Sequence, residues 1–341
     1  MTICKFPLVL AFIILLTGCA TTSHQTDNTT KTSLTYKAVK SYAAGTGQKE
    51  LFSLDTEALS AYLETHKTKE SPPPKYITKK FAVTEKTFSG RPCYQINPRK
   101  TVTPESKAIF FIHGGGFVYE TMDMHWKNIE ILMNELSIPI WLPAHPLLPD
   151  ATIEGIVFML MEAYADMRNT FPDREIIFLG DSSGADLALV LCQYIKALSP
   201  DLPLPDKLIL ISPALIIDDN PLILNAMFQL EKEDVICTMK MLETLPALLK
   251  IESSKNVFFK TILNADFVFD ADFTGMPPTY IFSGTQEMFF PQAESLIKRL
   301  EQHDVYTEFV QGAGMMHSWP YLVYPPESKK ALFQLIEIIR R

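Results

Sequence analysis

Ser182 stands in the pentapeptide Gly180-Asp181-Ser182-Ser183-Gly184, after an apolar run at residues 175–179 and before a helical pattern at residues 185–198. A strand that turns into a helix within so few residues needs small side chains at the flanks, and the turn lifts the central hydroxyl above the sheet. The G-x-S-x-G frame selects Ser182 as a nucleophile rather than Ser183. The Ser183 N–H and the positive end of the helix would then face any negative charge developing there. The bland alternative is a Ser/Gly turn that only caps a helix. A second cluster, His113-Gly114-Gly115-Gly116-Phe117, directly follows the apolar residues 108–112. Consecutive glycines let a backbone approach a substrate and aim N–H groups at it. No Lys-Ser/Thr pair follows the glycines, which disfavours a phosphate loop. A hydroxyl nucleophile beside amide donors is equipment for acyl transfer.

Such a nucleophile needs a base, and only His303 and His317 lie beyond Ser182. His303 sits in a polar helix-to-strand connection and reads as solvated. His317 follows a strand at residues 306–310 and a Gly312–Gly314 loop, where it can descend onto Ser182. The acid should follow the strand at residues 279–282 and precede the histidine. Glu287, in Ser283-Gly284-Thr285-Gln286-Glu287-Met288, has that position; Asp218, Asp266, Asp270 and Asp272 are the alternatives. No metal or cofactor is needed for this chemistry.

The elements that must position these residues alternate in type. Apolar strand runs at residues 108–112, 138–142, 175–179, 207–211, 279–282 and 306–310 are separated by helical patterns, which predicts an α/β fold with a mostly parallel sheet covered on both faces. Ligands bind such sheets outside the carboxyl ends of the strands, where both glycine clusters and the candidate base and acid fall. Upstream, residues 51–67 predict a helix ended by Pro72-Pro73-Pro74, and residues 76–83 and 87–96 predict a strand pair. Residues 219–275 break the strand–helix rhythm. They and residues 34–75 are expected to form a helical cap, or lid, over the strand-end face. Phe117, Tyr119, Phe289 and Phe290 are apolar candidates for lining an acyl pocket, with ordinary core or rim packing the plainer reading of each.

With H-G-G-G-F followed by G-D-S-S-G-A, the chain resembles the hormone-sensitive-lipase-like branch of the α/β-hydrolase esterases. His145-Pro146-Leu147-Leu148-Pro149-Asp150 is similar to that branch's Y-P-L-x-P-E segment, with His in place of Tyr and Asp in place of Glu. The resemblance spans roughly residues 76–339. It implies an α/β-hydrolase fold and hydrolysis of short to medium acyl esters through an acyl-enzyme. It implies an oxyanion hole built by the amides of Gly115, Gly116 and Ser183, with Gly114 a further candidate, and a His113 that orients the loop without acting as base. The family more often has Asp where this chain has Glu287. Deacetylase, lactonase or amidase chemistry on the same scaffold, or a non-catalytic binding protein, are the alternatives that fold and triad leave open.

The chain opens differently. Residues 6–16 are apolar, too short to span a bilayer as a helix, and follow Lys5; they read as a signal segment. Leu16-Thr17-Gly18-Cys19 resembles the bacterial lipobox, which implies cleavage after residue 18 and a lipid anchor on Cys19. The expectation is therefore a signal at residues 1–18, a Thr/Ser-rich flexible tether at residues 19–33, and a hydrolase domain at residues 34–341, exported and held at a membrane. Cys93, Cys192 and Cys237 remain, an odd number without paired spacing; Cys192 reads as a buried small hydrophobe. The 341 residues are 47% hydrophobic with a net charge of -8. That suits a sizeable core and argues against nucleic acid as a partner.

Overall fold

The strands are where the sequence is most apolar, and their burial explains the architecture. The computed structural model describes residues 23–26, 31–99, 107–214, 220–250 and 272–341. Among them, nine strands form one sheet: β1 (Ser23–Thr26), β2 (Ala82–Phe88), β3 (Arg91–Asn97), β4 (Lys107–Ile112), β5 (Ile140–Pro143), β6 (Glu175–Asp181), β7 (Lys207–Ile211), β8 (Thr279–Gly284) and β9 (Thr307–Gly312). Their order is β1-β9-β8-β7-β6-β4-β5-β3-β2. Only the β2–β3 and β3–β5 pairs are antiparallel; the rest are parallel. This is the mostly parallel sheet that the alternating pattern predicts.

Side chains alternate across each strand, so the central strands feed two cores. Phe110 and Phe178 enter one, while Ile109, Phe111, Ile177 and Leu179 enter the other. The first core is covered by α6 (Ile153–Thr170), α7 (Ser183–Leu198) and α10 (Phe290–Gln302). The second is covered by α5 (Asp123–Leu136) and α11 (Pro326–Arg340). Burial on both faces is why these strands read as continuous apolar runs.

Three local expectations need correction. Residues 76–80 are not a strand: Lys75–Lys80 is a helix, α4, entered from Pro74, which stands as its N-cap in extended backbone. The helix expected over residues 51–67 is broken into α2 (Gln48–Phe52) and α3 (Thr56–Thr65), because the Asp55 side chain caps a new start by accepting the Ala58 N–H at 2.8 Å. Within the stretch expected to be tether, Ser23–Thr26 pairs its backbone with β9 as an edge strand. No helix among the described residues is long and apolar enough to cross a membrane. The signal segment and Cys19 lie outside the described residues.

The expected cap stretches supply α1 (Leu34–Ala44), α2 and α3 from the first, and α8 (Pro221–Leu230) and α9 (Met241–Leu248) from the second. They are knit together by polar contacts. The Thr238 hydroxyl donates to the Phe52 carbonyl at 2.6 Å and the Thr244 hydroxyl to that of Leu54 at 3.2 Å. The Lys49 ammonium donates to the Glu231 and Asp234 carbonyls.

Candidate active site

Ser182 sits between the last residue of β6 and the first of α7, at φ 51° and ψ -129°. A non-glycine residue at positive φ is strained and is held there by its surroundings. Here the surroundings are glycines. A Cβ on Gly180 would fall 2.4 Å from the Gly184 carbonyl oxygen, and one on Gly184 would fall 2.1 Å from that of Ile112. The Ser182 N–H donates to the Ile211 carbonyl at 2.8 Å, tying the bend to the end of β7. The side chain is 9% exposed at the floor of a cavity.

His317 arrives from the loop after β9. Its Nε2 lies 2.8 Å from Ser182 Oγ, although 135 residues separate them. Glu287 arrives from the loop after β8 and is fully buried, with Oε2 3.2 Å from His317 Nδ1. The approach is oblique, so this contact is a close charge pairing rather than a straight hydrogen bond. Oε1 of Glu287 accepts from the Ser283 hydroxyl and from the Gly284 N–H. The two loops can meet because Gly284 has no side chain: a Cβ there would fall 2.3 Å from the Met315 carbonyl oxygen. Asp272 is elsewhere, paired at the surface with Lys196 and His303. Asp218, Asp266 and Asp270 lie outside the described residues.

Burial alone would push the His317 imidazole down, but the Cys237 sulfur and the Glu287 carboxylate more than offset it, and the balance lies well above the ordinary histidine value. Burial pushes the Cys237 thiol itself up to about 12. Neither the position of Cys237 nor its closeness to His317 had any signal in the sequence. Cys93, Cys192 and Cys237 are all buried free thiols.

The glycine loop lies beside the bend. Gly115 and Gly116 have φ 119° and 60°, values that side chains resist. The Gly116 N–H donates to Ser183 Oγ at 3.0 Å. Gly114 needs correction as an oxyanion donor: its N–H is donated to Asp181 Oδ1 at 3.0 Å. Of the expected glycine donors, Gly115 and Gly116 line the cavity, and the Gly114 and Gly116 amides are taken by Asp181 and Ser183.

Three buried histidines underpin this loop. His113 stacks on His145 with ring centroids 4.2 Å apart, and burial holds both imidazoles below the ordinary histidine value. His113 Nδ1 lies 2.9 Å from the Gly114 carbonyl, which can only accept, so that nitrogen carries the proton. His113 thus braces the loop and does not face Ser182. His125 was not anticipated. Its Nδ1 accepts the Met122 N–H, so its Nε2 carries a proton and faces the Asp181 carboxylate at 3.2 Å. Asp181, inside the pentapeptide but without an assigned role, is therefore the brace between the glycine loop and the bend.

Above Ser182 opens a cavity of about 630 Å³, lined mostly by apolar side chains. Its walls include Val39 and Tyr42 of α1, Phe52 of α2, Met241 of α9, Tyr119, and Leu322 to Tyr324. Of the four aromatic acyl-pocket candidates, Tyr119 lines the cavity and the other three are core packing, the plainer reading of each. Phe289 is fully buried in the core, and Phe117 and Phe290 pack against that core.

Residues 109–321 match the family model described as alpha/beta hydrolase fold. The chain is 27% identical over 266 residues to an esterase of Acinetobacter venetianus, covering 73% of this chain and 83% of that enzyme. It is 28% identical over 132 residues to hormone-sensitive lipase of Mus musculus, covering 37% of this chain but 17% of the mouse enzyme. Among solved structures, that of a putative esterase from Staphylococcus aureus superposes with a TM-score of 0.69 at 24% identity, over 84% of this chain and 92% of that one.

Proposed function

The chain belongs to the alpha/beta hydrolase fold family, and on that premise we propose that it hydrolyses carboxylic esters with Ser182 as nucleophile, His317 as base and Glu287 as acid. The single observation that carries the reading is the 2.8 Å contact between Ser182 Oγ and His317 Nε2 at the floor of an apolar cavity. His317 takes the serine proton as the hydroxyl attacks the ester carbonyl. The carbonyl oxygen becomes negative, and the amides of Gly115 and Ser183 hold it. Collapse expels the alcohol, which receives the proton from His317. Water then repeats the sequence on the acyl-enzyme and frees the acid. Glu287 keeps the imidazole in one tautomer and balances its charge when protonated. The apolar cavity favours short to medium acyl chains and neutral substrates. The signal reading of residues 1–18 and the lipobox-like Leu16-Thr17-Gly18-Cys19 support export and a lipid anchor on Cys19 as the protein's attachment to a membrane.

Reaction with a fluorophosphonate probe tests the nucleophile. The wild-type protein should be labelled on Ser182 and hydrolyse p-nitrophenyl butyrate. Ser182→Ala should lose labelling and lower kcat by on the order of 10⁴-fold or more. Labelling that persists in Ser182→Ala places the reactive group elsewhere and overturns the reading.

A further inference from the structure

Two side chains of the cap reach down to the backbone on either side of the catalytic pair. Tyr36 of α1 is 1% exposed, and its hydroxyl oxygen accepts the N–H of Met316, the residue before His317, at 2.6 Å. Asp234, in the loop between α8 and α9, is also 1% exposed, and its Oδ2 accepts the N–H of Met288, the residue after Glu287, at 2.8 Å. The other carboxylate oxygen of Asp234 accepts the N–H groups of Ile236 and Cys237, at 2.8 and 2.9 Å. One buried carboxylate thus joins the cap loop that carries Cys237 to the loop that carries the acid. A second link runs alongside, where the Lys40 ammonium of α1 donates to Gln286 Oε1 at 2.8 Å.

We propose that Tyr36 and Asp234 are positioning residues, a clamp by which the two cap segments set the loops of His317 and Glu287 in register. The inference rests on the triad reading above. Neither side chain touches Ser182, so each acts through a backbone amide. The loops after β8 and β9 are separate excursions from the sheet, and the 3.2 Å contact between Glu287 and His317 depends on where both of them sit. Fixing the residue next to each group holds that geometry without placing another charge beside the imidazole. It also makes catalytic competence depend on the seated cap, because both clamp residues leave with it.

The test compares Tyr36→Phe, which deletes one oxygen, and Asp234→Asn, which keeps the shape but turns one acceptor into a donor. Both are assayed as full chains on p-nitrophenyl butyrate from pH 5 to 9, beside Ser182→Ala. A loop displaced by a fraction of an ångström predicts kcat lowered by about 10- to 100-fold with KM changed by less than about threefold. The acid limb of the Asp234→Asn profile should also move to lower pH, as Glu287 loosens from His317. A role in folding alone predicts lower melting temperatures with kcat and profile unchanged in the folded fraction, and that result overturns the clamp. If one variant does not fold, the other decides. Amide hydrogen exchange on the native protein provides a measurement free of variants: the Met288 and Met316 amides should be protected as strongly as strand amides, and rapid exchange at both removes the clamp. Activity surviving in Ser182→Ala instead strikes the triad reading itself, and the two failures are thereby distinct.

Discussion

At the scale of single residues, the charge balance around His317 makes the sharpest prediction. An imidazole accepts the Ser182 proton only when neutral, so activity disappears as pH falls through its pKa. Burial lowers that pKa, the Cys237 sulfur and Glu287 raise it, and the balance is upward. The acid limb of kcat/KM should therefore lie above the ordinary histidine range. Glu287→Gln removes the anion but leaves the burial, so the limb should move to lower pH while kcat falls by on the order of 10³-fold. A profile that stays in place at near wild-type rate would mean that Glu287 is not the acid. Ser182, Glu287 and His317 were legible because each sits at a strand end in a recognisable local frame. Asp181, His125, Cys237, Tyr36 and Asp234 were not, because each acts across space on a partner that no spacing reveals. Gly114 shows the limit from the other side: a three-glycine loop does not say which of its amides is taken by a neighbouring carboxylate.

At the scale of elements, α7 carries a further buried carboxyl whose effect should be on stability. Asp186 is 6% exposed, and burial pushes its pKa up to about 8, although the Ala214 N–H donates to its Oδ1 at 2.7 Å. The folded chain therefore holds this proton through a pH range in which the unfolded chain has released it. The stability so gained is full below the ordinary carboxylate value of 3.8 and is lost progressively as pH rises to about 8. Asp186→Asn keeps an acceptor for Ala214 and abolishes the titration. Its melting temperature should exceed that of the wild type by on the order of a few degrees near pH 9, with the gap closing towards pH 4. A gap independent of pH would assign the effect to packing alone. Element type was read correctly where strands are buried on both faces. It failed at α4, where alternation of apolar and polar residues over a few positions looked like a strand and the proline entry decided otherwise. It failed also at the Asp55 cap, because a helical period continues in the sequence across a break that one side-chain hydrogen bond creates.

At the scale of the whole molecule, the mostly parallel pairing and the two-sided coverage of the sheet followed from alternation, whereas the order of the strands did not, and the edge pairing of Ser23–Thr26 with β9 had no sequence signal because a polar edge strand reads as linker. That pairing shortens the free reach of the leader. Three residues separate Cys19 from β1, so a lipid on Cys19 would hold the sheet edge within about 15 Å of the membrane surface. Cys19→Ala should accordingly move the protein from the membrane fraction to the soluble fraction while hydrolysis of a soluble ester is unchanged; retention at the membrane would exclude Cys19 as the anchor.

The cavity joins all three scales, since Ser182 lines it together with residues of α1, α2 and α9, and its volume is set by how those helices sit against the sheet. An apolar enclosure of about 630 Å³ gains from each methylene withdrawn from water, at up to ~0.8 kcal/mol, or about fourfold in kcat/KM, per CH₂. That gain ends when the walls are reached, because a packed wall resists further bulk. For a series of p-nitrophenyl esters, kcat/KM should therefore climb from acetate to a medium chain and then fall by palmitate. The cap predicts more than the trend. Val39 of α1 and Met241 of α9 line the cavity from opposite cap segments, so Val39→Phe and Met241→Phe should each move the optimum to shorter acyl chains while leaving acetate turnover close to wild type. An optimum at acetate in the wild type, or one that neither substitution moves, would show that the acyl group does not enter this cavity.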